Sequence, residues 1–266
     1  MLVVPCFNER ARLDADAFVR FVRGEPDVSL LFVDDGSTDG TDALLAALRD
    51  AEPGSISVVR LERNSGKAEA VRRGMLRAFE EGAAYAGYWD ADLATPLDAF
   101  TELREALERD ETLVGIIGSR VRLLGRTIER HAVRHYVGRV LATVASLALD
   151  LPVYDTQCGA KLFRRTPATV AAFAQPFRGR WTFDVELLAR LKSPKGGAIA
   201  VEEHPLRAWR DIGGSKIRVG DGLVAVHELL ALWARERWRL LSRRARPGRV
   251  APSSVEDEAT WPSLKK

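Results

Sequence analysis

The chain has 266 residues, 46% of them hydrophobic and 29% charged, which is enough apolar material for one large core without a length that forces two domains. A formal net charge of +3 excludes a protein that binds polyanions through its overall charge, and two cysteines, Cys6 and Cys158, exclude a disulfide scaffold and fit a reducing compartment. No apolar run reaches the ~18 residues needed to span a bilayer, and no charged segment precedes an apolar one as in a signal peptide. In chain order, Leu2–Pro5 reads as a short strand, Arg12–Arg23 as a helix, and Leu30–Asp34 as a buried strand. Met1 leads straight into that first strand, so the start of the natural chain is expected a few residues upstream. Ser37, Thr38 and Asp39 offer N-caps for a helix to about Arg49. A strand follows at Ile56–Leu61, then a helix at Lys67–Glu80 with Ala70/Val71, Gly74/Met75 and Ala78/Phe79 stacked at steps of four. Tyr85–Trp89 is a strand, Leu97–Arg109 a helix and Leu113–Gly118 a strand.

Strands apolar on both faces, alternating with helices, predict an α/β fold with a mostly parallel central sheet and helices on both faces. Ligands of such sheets sit beyond the carboxyl ends of the strands. Polar clusters fall at those ends: Asn8-Glu9, Asp34-Asp35, Asn64, Asp90/Asp92 and Ser119-Arg120. After residue 120 the alternation breaks. An Arg-rich loop (121–130) leads to a helix over about His131–Leu149, then the segment Asp155–Arg164, a helix near Phe183–Lys192, a strand over Ala198–Glu203 and an amphipathic helix over about Gly222–Leu241. Residues 250–266 are polar and Pro-containing, as in a disordered tail.

The strongest chemical signal is Asp90-Ala91-Asp92. In extended chain, residues i and i+2 point the same way, so two carboxylates at a strand end can aim at one point. Alone they would repel. A divalent cation with a taste for hard oxygen ligands, Mg²⁺ or Mn²⁺, removes that conflict. Such an ion also neutralises the charge that builds on a departing nucleotide diphosphate. Asp34-Asp35-Gly36-Ser37 supplies a carboxylate able to accept from a base or ribose, beside a glycine that lets backbone approach; a helix N-cap is the plainer reading. The phosphate-loop alternatives fail. No GxGxxG follows a strand, Leu61 stands where a Walker A loop needs its first Gly, and Ala68 follows Lys67 in place of Ser or Thr.

Together, VVPCFNE (3–9), VDDGSTDGT (33–41), NSGKAEAVRRGM (64–75), DADLATP (90–96), GSR (118–120), DTQCGAKLF (155–163), WTFDVELL (181–188) and GSK (214–216) resemble glycosyltransferase family 2 with its GT-A fold. The order of the pieces looks most like the dolichyl- or polyprenyl-phosphate glucosyltransferase branch. The resemblance implies that Pro5, Asn8, Glu9 and Asp35 line the nucleotide pocket, that Lys67 sits near the base or diphosphate, and that Asp90 and Asp92 hold the donor through the metal. It implies an inverting transfer of a sugar, glucose from UDP-glucose, to a polyprenyl or dolichyl phosphate. A mannosyl donor (GDP-mannose), a sugar acceptor in polysaccharide synthesis, and an inactive nucleotide-sugar-binding membrane scaffold are the alternatives. Ala94 stands where the mannosyl branch has Gln. Ala160 stands where an aromatic residue is common, read as a packing change.

A lipid phosphate with its second pKa near ~6 is already largely dianionic at pH 7 and needs no general base. Cations must then hold two anions together. Arg120, with Arg130 and Arg134 at i, i+4 on one helical face, are the candidates for the acceptor phosphate. Asp155, Gln157, Asp184 and Glu186 are candidates for sugar hydroxyls or a residual base role; on a helix Asp184 and Glu186 would not face one another. Asp92, Arg120, Asp155 and Asp184 form the expected catalytic set. Lys216, in Ser215-Lys216, is placed in a flap over the diphosphate. Cys158 is read as a packed residue. Residues 1–218 are expected to form the catalytic domain. The helix at 219–249 carries Leu223, Val226, Leu230, Trp233 and Leu240 on one side, and residues 235–249 add seven Arg and one Glu. Such a helix lies in a membrane interface or packs on the protein's own core or a second subunit. The expected placement is cytoplasmic, peripheral on the inner face of the cell membrane, with a homo-oligomer left open.

Overall fold

The computed structural model describes residues 1–129, 132–192, 199–212 and 219–244. The strands are β1 (Leu2–Cys6), β2 (Leu30–Asp34), β3 (Ile56–Arg60), β4 (Tyr85–Trp89), β5 (Gly115–Ser119), β6 (Thr127–Glu129), β7 (Ala160–Arg164), β8 (Val201–Pro205) and β9 (Ala208–Arg210). The helices are α1 (Ala15–Gly24), α2 (Thr41–Ala51), α3 (Lys67–Glu80), α4 (Ala99–Arg109), α5 (Ala132–Leu149), α6 (Pro167–Ala174), α7 (Phe183–Leu191) and α8 (Val219–Arg244). Seven strands form one sheet in the order β3-β2-β1-β4-β7-β5-β8, and β6 pairs with β9 apart from it.

Strands β1 to β4 run parallel, and β5 is parallel to β8. β7 is the exception, lying antiparallel between β4 and β5. Its reversal brings its leading segment, residues 155–159, to the rim where the parallel strands end. The residues of β2 and β5 are buried throughout, as expected for strands covered on both faces. Alternation then divides them. Leu2, Val4 and Phe32 face a core with Phe18 and Val22 of α1 and Phe100, Leu103 and Leu107 of α4. Val3, Leu31 and Val33 face the other side, with Val71, Met75 and Phe79 of α3, Phe173 of α6 and Leu187 of α7. Phe18 meets Phe32 edge to face at 5.0 Å, and full burial of such a ring contributes about 2 kcal/mol.

Several sequence expectations need correction. The start of α2 is capped by Gly40 in a left-handed conformation, not by Ser37, Thr38 or Asp39. Ser37 Oγ turns back to the loop after β1, while Asp39 still reaches the start of the helix, where its Oδ1 accepts from Thr41 N at 3.0 Å. The predicted strand over Ala198–Glu203 begins at Val201 and ends at Pro205. Pro167–Ala174 is a helix that no periodicity singled out; Thr166 caps it with a reciprocal bond to Thr169, and Pro167 opens it. Arg130, Ser215, Lys216 and the tail at 250–266 lie outside the described residues, as does the side chain of Arg134.

The C-terminal helix has two apolar faces. Leu229 and Leu232 are buried against Ala145 and Leu149 of α5 and Val185 and Leu188 of α7. Val226, Leu230 and Trp233 remain exposed. α8 thus packs on the protein's own core along one side and keeps apolar residues outward on another.

Candidate active site

The site is built where the parallel strands end. After β1, Asn8 takes a positive φ of 53°. Its backbone N–H donates to Ser37 Oγ at 2.9 Å, and its side-chain oxygen accepts from Thr38 N at 2.9 Å. Glu9 N donates to Thr41 Oγ1 at 2.8 Å. The loop after β1 is thereby clamped to the loop after β2.

Asp35 is buried, and its two oxygens accept from Ser65 N at 2.7 Å and Gly66 N at 2.8 Å. It therefore fixes the entry of α3. Burial raises its pKa, and the two N–H donors oppose that rise. Gly36 has φ 71°, and a Cβ there would sit 2.7 Å from the Arg63 carbonyl carbon. The backbone that the glycine admits is the chain's own crossing at 63–64. Gly36→Ala is expected to lower unfolding free energy by about 2 kcal/mol, from left-handed strain plus overlap. Urea denaturation measures it, and a change within about 0.3 kcal/mol would show that the crossing yields.

At the end of β4 the chain does not stay extended. Asp90 N donates to Gly159 O at 3.1 Å, Leu93 N to Asp90 O at 3.2 Å, and Leu93 has φ 52°. Asp92 Oδ1 accepts from Ala94 N at 3.1 Å. The two carboxylates approach through this tight turn, and not through the i, i+2 alternation of a strand. Each has a cation beside it. Lys67, the first residue of α3, pairs with Asp90 Oδ1. Arg12 holds both Glu9 oxygens, at 2.6 and 2.9 Å, and its other terminal nitrogen lies 3.9 Å from Asp92 Oδ2. Burial would raise the Asp90 pKa, but Lys67 foremost, then Lys161 and Arg120, hold it below the ordinary value. Asp92 is raised, by burial first and then by the charge of Asp90.

Among the described residues, no three or more His, Cys, Asp or Glu gather as a metal cage. Two hard carboxylates whose charges oppose each other, with no third ligand, suit an ion that takes its remaining oxygens from a bound phosphate and water. The residues present fit Mg²⁺ or Mn²⁺ in that sense.

Two carboxylates expected in the catalytic set are committed to ion pairs. Asp155 accepts from Arg120 Nε at 2.6 Å and Nη2 at 2.7 Å, and Arg120 also lies over the Trp209 ring at 5.2 Å. Burial disfavours the Arg120 charge, but Asp155 more than offsets it and raises the pKa. Tyr154 N and Asp155 N donate to Glu203 at 2.7 and 2.6 Å, so β8 holds this loop. Asp184 on α7 accepts from Lys161 Nζ at 2.7 Å and from the Tyr88 hydroxyl. Lys161 is fully buried and also donates to Cys158 O at 2.5 Å. Burial, then Asp184, push the Tyr88 hydroxyl pKa well up. Glu186 faces away, accepting from Arg178 N at 2.8 Å and Arg190 Nη2 at 2.9 Å. Only Asp184 of that pair turns toward Asp90, as helical spacing demands.

Gln157 donates through Nε2 to Trp181 O at 3.2 Å, joining the segment before β7 to that before α7. Cys158 is buried with its thiol pKa raised by burial and then by Asp155, a packed residue as read. Ala160 is buried opposite Trp89. Pro5 lies in β1 beside Val33.

Sequence reasoning missed Arg12, Lys161, Arg180 and Glu203. Arg12 had a signal in its i, i+3 spacing from Glu9. Lys161 was visible only as a lysine inside an apolar strand.

A mostly parallel sheet whose carboxyl rim gathers an acidic pair between two cations is the architecture of a GT-A transferase. The described chain superposes on glucosyl-3-phosphoglycerate synthase from Mycobacterium tuberculosis, solved with Mn²⁺, uridine diphosphate and phosphoglyceric acid, with a TM-score of 0.57 at 21% identity, covering 99% of this chain and 86% of that one. The chain belongs to glycosyltransferase family 2, whose family description, Glycosyl transferase family 2, matches residues 1–169. A dolichyl-phosphate beta-glucosyltransferase of Drosophila melanogaster is 32% identical over 264 residues, 91% of this chain and 77% of that protein. The polyprenol monophosphomannose synthase of Mycolicibacterium smegmatis is 26% identical over 82% of this chain and 80% of its own. The protein is a glycosyltransferase.

Proposed function

We propose that the chain transfers a hexose from a nucleotide diphosphate donor to a polyprenyl or dolichyl phosphate, with glucose from UDP-glucose as the favoured donor. The observation that carries the reading is the Asp90–Asp92 turn between Lys67 and Arg12 on the sheet rim. Asp90 and Asp92 would hold Mg²⁺ or Mn²⁺. The ion, when bound, stabilises negative charge on the leaving diphosphate. Lys67, paired with Asp90, would supply a cation to the same diphosphate. Asp35 and the loops around Asn8 and Glu9 shape the nucleotide pocket.

With Asp155 on Arg120, Asp184 on Lys161 and Glu186 on Arg190, the three candidate carboxylate bases are all spent on cations. That suits a phosphate acceptor, which arrives already ionised. Arg130 and Arg134 are offered for its charge, since Arg120 is already bound by both Asp155 oxygens. The outward apolar residues of α8, with Val140 and Leu147 of α5 and Leu123-Leu124 of the Arg-rich loop, offer a surface for the lipid side. No helix among the described residues is long and apolar enough to cross a membrane. The likeness to a mannose synthase keeps GDP-mannose as the second donor.

The test is to incubate purified protein with UDP-glucose or GDP-mannose, Mg²⁺ or Mn²⁺, and a polyprenyl phosphate, and to identify the lipid product by mass. Sugar-phosphate lipid is expected with one donor, lost on chelation and restored by adding the ion back. No lipid product with either donor, or turnover that survives chelation, would sink the proposal.

A further inference from the structure

Glu228 lies on α8, beyond every motif that points to catalysis, yet its carboxylate accepts four hydrogen bonds near the rim. Oε1 accepts from Arg180 N at 2.8 Å. Oε2 accepts from Trp181 N and Thr182 N, each at 3.0 Å, and from Thr182 Oγ1 at 2.9 Å. Three successive backbone N–H groups converging on one carboxylate form an anion nest, and bonds to a charged acceptor are about twice as strong as neutral ones. Gly179 is buried beside it, where a Cβ would lie 3.2 Å from Oε2 and 2.6 Å from Thr182 Oγ1. Glu186 of α7 takes the preceding N–H groups of Arg178 and Gly179 at 2.8 and 3.2 Å. Residues 178–182 are thus fixed by two carboxylates from two helices.

What this loop carries gives the clamp its meaning. The Arg180 side chain reaches over Gly66, with Nε 3.7 Å from the position of a Cβ there. Its charge is felt by Asp35 and helps to lower that carboxyl against its burial. Arg180 therefore stands over the entry of α3, beside Lys67 and Asp35, at the mouth of the nucleotide subsite. The next residue, Trp181, receives the Gln157 amide. On its other side α8 turns Val226, Leu230 and Trp233 outward.

We propose that Glu228 is a positioning residue for the donor: it locks residues 180–182 so that Arg180 covers the nucleoside diphosphate, making donor affinity depend on the seating of α8. The inference rests on the proposed use of a nucleotide-sugar donor. Glu228→Gln keeps the shape but removes the charge and turns an amide donor toward N–H groups. Arg180→Ala, at an exposed side chain, removes the cation itself.

The test is calorimetric titration of the full chain with UDP and with GDP in the presence of Mn²⁺. Each single variant is expected to raise Kd for the bound nucleotide about tenfold, and the double variant by little more than either single, since the two act as a unit. The acceptor KM stays at its wild-type value. An unchanged Kd in either variant, or a double variant whose losses multiply, overturns the proposal. Should α8 detach in Glu228→Gln, Arg180→Ala still decides the matter, because an unaltered Kd there is fatal to it. Weakened nucleotide binding in both variants, with no lipid product from wild type, leaves this inference standing and removes the proposed acceptor. Lipid product from wild type, with Kd unmoved by the variants, does the reverse. A wild type that binds neither nucleotide overturns both.

Discussion

Gly159→Ala is expected to fold and to lose turnover by about 100-fold or more, the size of effect that a displacement near 1 Å has on a positioned catalytic group. Gly159 is the residue before β7, and the reversal of that strand presses it against the end of β4. A Cβ at this position would overlap the Asp90 carboxylate. The backbone cannot retreat easily, because Gly159 O accepts from Asp90 N at 3.1 Å. The carboxylate must swing instead, leaving Lys67 and its alignment with Asp92. Gly159 is not among the positive-φ glycines, so the substitution carries no backbone strain and the loss is one of placement. Turnover at saturating donor and metal, beside a thermal melt, separates the two. A variant within about threefold of wild type would mean that Asp90 has room to move, and that its place in the turn matters less than argued.

Lys161→Met is expected to lower stability by about 3–5 kcal/mol, the cost of stripping one partner from a buried ion pair. Lys161 is 0% exposed and its Asp184 partner 6%. Without the ammonium, Asp184 keeps only the Tyr88 hydroxyl in a region too dry for an unpaired carboxylate, and Cys158 O loses its donor. Adding Asp184→Leu is expected to return much of the loss, because removing both charges leaves nothing stranded. By contrast, the pair between Arg49 and Asp50 has half or more of each side chain in solvent, and breaking it should barely register. Denaturant midpoints of these three variants beside the wild type make the comparison. A shift under about 1 kcal/mol for Lys161→Met would show that water reaches the pair.

The first half of the fold was legible because its signals are local. Two-faced strands such as Leu30–Asp34 and the four-residue stacking in α3 depend on neighbours within a few positions, and the structure repeats both. The acidic pair was legible as chemistry, though its geometry was misjudged: only the left-handed Leu93 shows that a turn, not strand alternation, brings Asp90 and Asp92 together. Asp155–Arg164 was visible as a motif but not as a strand running backwards, since its partners at 85–89 and 115–117 lie far away in sequence. The same distance hid the ion pairs. Arg120 looked like a free phosphate ligand because nothing near it announces Asp155, and Asp184 looked like a base because nothing near it announces Lys161. Short pieces such as β6 and β9 have too few residues for any period to show.

The insertion of β7 between β4 and β5 has a bearing on assembly. Strands that follow one another along the chain are held apart in space by one made some forty residues later, so the middle of the sheet stays open until the ribosome has passed Arg164. A fragment ending at Leu149 would carry two raw edges facing one another across a gap, ready to recruit foreign strands. Slow closure over so long a separation makes this seam the place where a nascent chain is most exposed to aggregation.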